Sequence, residues 1–94
     1  MIYEHAYLTI NPDDADAFEG AFDAARQHLE SAPGCRSVDL IRSIDQPRTY
    51  LLKVGWGRLE DHLEVFPGTE NTRSFGEAVA GYFQDHPVVV HFPG

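Results

Sequence analysis

Only one cysteine, Cys35, occurs in the 94-residue chain, so no internal disulfide can form. That economy fits a reducing compartment, and a cytoplasmic location is the expectation. No apolar run approaches the ~20 residues needed to span a bilayer. The stretch after Met1, IYEHAYLTI, lacks the basic and apolar regions of a secretory leader, so no membrane association is expected. Basic residues are scarce: 7 Lys plus Arg stand against 15 Asp plus Glu, a formal net charge of -8. Such a surface repels phosphate backbones, which argues against nucleic acid as a partner. The sequence also has no glycine-rich nucleotide loop, no Cys/His cluster at metal-ligand spacing, no internal repeat and no low-complexity tract. No flavin, nicotinamide, haem or metal cofactor is therefore expected.

What remains is an ordinary globular composition, 43% apolar and 12% aromatic, in one domain spanning 1–94. Ile2 to Ile10 alternates, with Ile2, Ala6, Leu8 and Ile10 on one side and Tyr3, His5, Tyr7 and Thr9 on the other, which predicts a strand. Asn11-Pro12-Asp13-Asp14 is helix-start chemistry with Asp13 as the expected cap. Phe18, Phe22, Ala25 and Leu29 then recur at helical spacing until Pro33-Gly34. Cys35 to Ile44 predicts a second strand, Asp45-Gln46-Pro47-Arg48 a turn, and Tyr50 to Val54 a third strand broken at Gly55-Trp56-Gly57. A short helix carrying His62 follows, then a loop over Pro67 to Asn71. A helix over Thr72 to Phe83 and a final strand over Val88 to Phe92 complete the chain. Two split β-α-β units of this kind fold as an α+β, ferredoxin-like four-stranded antiparallel sheet with helices on one face.

Helices on one face leave the other bare, yet the strands are apolar on both. Ile41, Leu51 and Val89 are read on one face and Leu40, Leu52 and Val90 on the other. At about 25 cal/mol per Å² of apolar surface, leaving several of these side chains wet costs several kcal/mol. A chain this short also buries only about two thirds of its unfolded surface. Both arguments predict a homodimer through the open sheet face.

Chemistry is expected around Tyr50 to Phe66, YLLKVGWGRLEDHLEVF, where a rigid strand ends in an indole and one turn later presents an imidazole. His62 lies three residues after Leu59 and four before Phe66, so it projects toward the sheet. It is the candidate base, since imidazole titrates near neutral pH; the bland alternative is a surface or interface histidine on a backbone carbonyl. Trp56, Phe66, Phe75 and Tyr82 are candidate walls of an aromatic substrate pocket, although each equally fits simple core packing. Arg42, on an otherwise apolar strand face, needs a carboxylate, either that of an anionic substrate or of a dimer salt bridge. His5 and His91 lie on strands that the fold makes neighbours and read as cross-strand or interface residues rather than metal ligands. Cys35 has no base partner and does not suit a nucleophile.

The tryptophan closing YLLKVGW, the LEDH that follows, the helix segment DAFEGAFDAARQHLESAPGC and the terminal HPVVVHF together resemble the antibiotic biosynthesis monooxygenase family. The resemblance implies a dimeric α+β barrel and, in some members, insertion of oxygen from O2 into electron-rich aromatics without flavin, haem or metal. It also matches His62 to the family's LEDH position. A haem-degrading branch uses an Asn on the first strand and a His on the third helix; here no Asn precedes Asn11 and Thr72 to Phe83 contains no His. The resulting expectation is a cofactor-independent monooxygenase acting on a small aromatic, phenolic or quinol-type substrate. His62 would assist deprotonation, Arg42 would steady the anion, and the aromatic set would exclude water. The alternatives are a non-catalytic small-molecule binding module or an isomerase on the same scaffold.

Overall fold

Glu4, Ala6 and Leu8 on β1 (Ile2–Thr9) turn inward, while Tyr3, His5 and Tyr7 turn outward, and this alternation sets the phase of the whole sheet. The computed structural model describes residues 1–94. Its remaining elements are α1 (Ala15–Glu30), β2 (Cys35–Arg42), β3 (Thr49–Trp56), α2 (Glu70–Val79) and β4 (Val88–Pro93). All strand pairings are antiparallel and the order is β2-β3-β1-β4, the expected ferredoxin-like sheet. Phe18, Phe22, Ala25 and Leu29 of α1 bury against it, as the helical spacing requires.

The ends of the elements are set by local chemistry. Asn11, not Asp13, is the cap: its side chain accepts from the Asp13 N–H at 3.0 Å, because Pro12 occupies the first turn and the cap must precede it. β2 stops at Arg42 rather than Ile44, since the Ser43 hydroxyl accepts from the Gln46 N–H at 3.0 Å and folds the chain into the hairpin turn. Ile44 consequently projects into solvent instead of onto a strand face. β3 runs on through Gly55 to Trp56, because Gly55 leaves room for the Ser37 and Tyr3 side chains that cross it. α2 begins at Glu70, capped by Thr69 accepting from Thr72 N–H, and tightens into a 3₁₀ turn over Ala80–Tyr82. That early ending frees Phe83 to bridge Ile10 and the Gln84 N–H to reach the Thr9 carbonyl at 2.9 Å.

β4 corrects the expected faces. Glu4 pairs with His91 and Ala6 with Val89, so Val89 and His91 lie on the helix-covered side and Val88, Val90 and Phe92 on the open side. Val90 thus joins Ile41 and Leu51, and Val89 joins Leu40 and Leu52. Tyr7, Ile41, Val88, Val90 and Phe92 leave large apolar areas exposed on the open face.

Candidate functional site

Trp56 ends β3 with its indole wholly buried, 0% exposed, on the helix side of the sheet. Its Nε1–H donates to Glu4 Oε1 at 3.0 Å, across from its own strand on β1. Glu4 is itself only 7% exposed, an acid buried among apolar side chains. Burial pushes its carboxyl above the usual carboxylate range, partly offset by the Trp56 hydrogen bond and by the nearby His91.

The chain after Trp56 doubles back through Gly57 and Arg58 into one π-helical turn, Asp61–Val65. Asp61 anchors this turn: its carboxylate accepts from the Arg58 backbone N–H and guanidinium, both at 3.0 Å. A side chain at Gly34, whose φ is 83°, would overlap the Asp61 carboxylate, so the end of the α1–β2 connection is moulded to this turn. The result holds His62 flat against Trp56, with ring centroids 5.3 Å apart and planes 11° from parallel. Phe66 packs tilted against the indole, its ring centroid 5.3 Å from that of Trp56.

His62 has a polar neighbour at each ring nitrogen. Nε2 lies 3.3 Å from Glu4 Oε1, and Nδ1 is 2.8 Å from His91 Nε2 on β4. Burial, and then the charge His91 carries when protonated, pushes the His62 imidazolium down to about 4, so the ring is neutral at neutral pH. Glu4, His62 and His91 do not form a metal site: His62 turns different nitrogens toward its two neighbours, so the three donors do not converge on one point.

The expected site residues divide into two groups. Trp56, His62 and Phe66 stand together. Phe75 instead packs edge-on against Phe22, and Tyr82 against Phe18. Arg42 ends β2 beside the start of β3, over the Tyr50 ring and 3.9 Å from Glu19 of α1, so its salt bridge is within the chain. Trp56 lies six residues along β3 from Tyr50, about 20 Å of strand. The expected aromatic chamber is filled by its own side chains: Trp56, Tyr50, Phe18, Phe22 and Val79 are fully buried, and Phe66, Phe75 and Tyr82 pack against them. The surface depression of the molecule lies elsewhere, at Phe83 to Pro87.

Two members of the cluster, Glu4 and His91, escape a reading of the sequence by apolar periodicity alone. Glu4 left a signal, as the one acid on the otherwise apolar face Ile2, Ala6, Leu8, Ile10. His91 left none, because the valines before it are apolar on both faces.

Comparison with known proteins agrees with the fold. A profile of the antibiotic biosynthesis monooxygenase family matches residues 1–80. The Bacillus subtilis protein YczJ is 30% identical over 92 residues, covering 98% of this chain and 97% of its own. A Bordetella bronchiseptica structure bearing the family's name superposes with a TM-score of 0.94 at 30% identity, covering 99% of this chain and 95% of that one. SnoaB, a cofactor-independent oxygenase from Streptomyces nogalater, shares the fold at a TM-score of 0.78 and 15% identity, covering 99% of this chain and 91% of that one. With the sheet, the covering helices and a profile match over most of its length, the chain belongs to the antibiotic biosynthesis monooxygenase family.

Proposed function

We propose that the protein is a cofactor-independent monooxygenase that oxidises a small phenolic or quinol-type aromatic at the Trp56–His62–Phe66 end of the sheet. The observation that carries this reading is the buried imidazole of His62, clamped flat on an indole and hydrogen-bonded to the half-buried His91, in a scaffold whose relative SnoaB is a cofactor-independent oxygenase. A neutral ring cluster accepts the proton of an acidic substrate C–H or O–H. The resulting anion is electron-rich enough to reduce O2 directly. For a methylene such as that of anthrone, one oxygen atom becomes the new carbonyl, the other leaves as water, and the substrate supplies all four electrons. Since the interior is filled, the substrate docks at the flank where β4 is left uncovered by helices, with Val89 at 43% exposure beside His91. Arg42, Phe75 and Tyr82 take no part in this site.

Oxygen uptake tests it. Metal-free protein is expected to accelerate O2 consumption by anthrone or a naphthoquinol well above buffer, with one anthraquinone or one hydroxynaphthoquinone formed per O2 and no hydrogen peroxide. Binding of these compounds without any O2 uptake would favour the binding-module alternative.

The working form is a homodimer joined through the open faces. The exposed Tyr7, Ile41, Val88, Val90 and Phe92 support it, because each residue of an isologous contact is buried twice. Ile41→Lys, which places two like charges in that contact, is expected to convert a species of two-chain mass in light scattering to one of single-chain mass. A wild-type chain that is already monomeric at micromolar concentration would defeat the dimer.

A further inference from the structure

The three polar groups around Trp56 form an ordered chain with a direction. Glu4 Oε1 accepts the indole N–H and also faces His62 Nε2 at 3.3 Å, so it acts as an acceptor toward both rings and favours the proton of neutral His62 on Nε2. His62 Nδ1 is then an acceptor, and the only donor at 2.8 Å is His91 Nε2–H. The hydrogen bond that fixes His91 Nε2 as a donor leaves its other nitrogen, Nδ1, with the free lone pair. His62 is the more buried of the two: its side chain is 16% exposed, while His91 sits half-buried on an edge strand that pairs only with β1.

Resting on the oxygenase reading above, we propose that His91 is the base that touches the substrate, taking the proton at Nδ1, with His62 and Glu4 as positioning residues that set its tautomer and steady the imidazolium. When His91 takes the proton, its Nε2–H donates to a His62 ring that stays neutral, and the Glu4 carboxyl lies one ring beyond. Charge therefore resides on the outer histidine, next to the anion it has just created. The inner ring is too poor a base to capture the proton, because burial disfavours its charged form. Trp56 fixes the plane of His62 by stacking, and through it the angle at which His91 is held. His91 lies on the helix side of β4, facing away from the sheet-to-sheet contact, so dimerisation leaves it accessible. The titratable groups facing this chain are Glu4 on β1, His62 on the π turn and, near Glu4, Cys35 at the start of β2.

Two measurements on the full chain test this, one of them independent of turnover. In ring-¹⁵N histidine spectra at pH 7.5, His62 and His91 should both show a protonated Nε2 and a bare Nδ1. A proton on His62 Nδ1 overturns the proposal, because His91 Nε2 would then be the acceptor and its outer nitrogen would be blocked. In anthrone oxygenation, His91→Ala should lose on the order of 10²-fold in kcat with KM within about threefold. Added imidazole should restore part of the rate, since the position is open to solvent. Glu4→Gln should move the acid limb of kcat/KM to lower pH, because removing a negative charge makes the outer imidazolium more acidic. If His91→Ala retains half the wild-type rate while His62→Ala is inactive, His62 is the base and the assignment to His91 is wrong. The spectra also separate the two readings: the stated tautomers in a chain inert toward anthrone and naphthoquinols remove the oxygenase but keep the outward-facing base.

Discussion

Trp56→Ala should destabilise the folded chain by about 4 kcal/mol, near the upper end of what a single core truncation costs. Three losses combine. The indole is fully buried and among the largest fully buried side chains, so its removal leaves a void ringed by residues from β1, β3 and the π turn. His62 loses the flat surface on which it stacks and Phe66 the ring it packs against, and the short turns that carry them have no regular helix to hold them instead. Glu4, already buried and raised by burial, loses one of the two N–H groups it faces, and losing a hydrogen bond to a buried charged group adds about 1–3 kcal/mol. For a domain of this length the total stability is about 5–14 kcal/mol, so the loss takes away roughly a third or more of it. Trp56→Phe separates these losses: it keeps most of the ring volume and removes only the N–H, with an expected cost of about 2 kcal/mol. Urea titrations followed by circular dichroism report both values. A Trp56→Ala variant within about 1 kcal/mol of wild type would mean that the cluster is not packed as described.

The same cluster marks the limit of what is legible in the sequence. Alternation groups Ala6 with Leu8 and Leu52 with Leu40 correctly, because strands that mix polar and apolar residues announce their own phase. Val88-Val89-Val90 announces none: apolar residues stand at every position, and only the register against β1 tells that Val89 and His91 face the helices. A sheet-to-sheet dimer requires only that some apolar residues face outward, so exchanging Val89 and Val90 between faces leaves its rationale intact. The site is less tolerant, because its outermost member, His91, takes its face from that same register. Periodicity is also blind to Glu4, since an apolar tally passes over the polar exception that a functional reading needs most. The aromatic set fails differently. Helical spacing correctly turns Phe75 and Tyr82 toward the core, but it carries no information about position along the sheet, and they meet Phe22 and Phe18 rather than Trp56. Arg42 does pair with a carboxylate, as an arginine on an apolar strand face must; Glu19 on α1 supplies it from within the chain.

Acid should destabilise this protein through His62 well before ordinary carboxylates titrate. A histidine in the unfolded chain protonates near 6.5, whereas burial holds the folded His62 neutral down to about 4. Between those limits the unfolded chain binds a proton that the folded chain refuses, so stability falls as pH falls through that window and is fully retained above it. With each pH unit between the two values worth about 1.4 kcal/mol, the full effect is about 3 kcal/mol. Glu4 works in the opposite sense: its raised folded value makes its burial a penalty at neutral pH that is relieved on acidification. The two must therefore be separated by difference. The stability gap between wild type and His62→Gln, measured by urea titration, should be flat above pH 6.5 and narrow by about 3 kcal/mol on reaching pH 4, because only wild type carries the refusing imidazole. A gap that does not change with pH would place His62 in contact with water in the folded state. The coupling to function is direct, since an inner ring that refused no proton would take the one meant for His91 and leave the His91 Nε2–H without its acceptor.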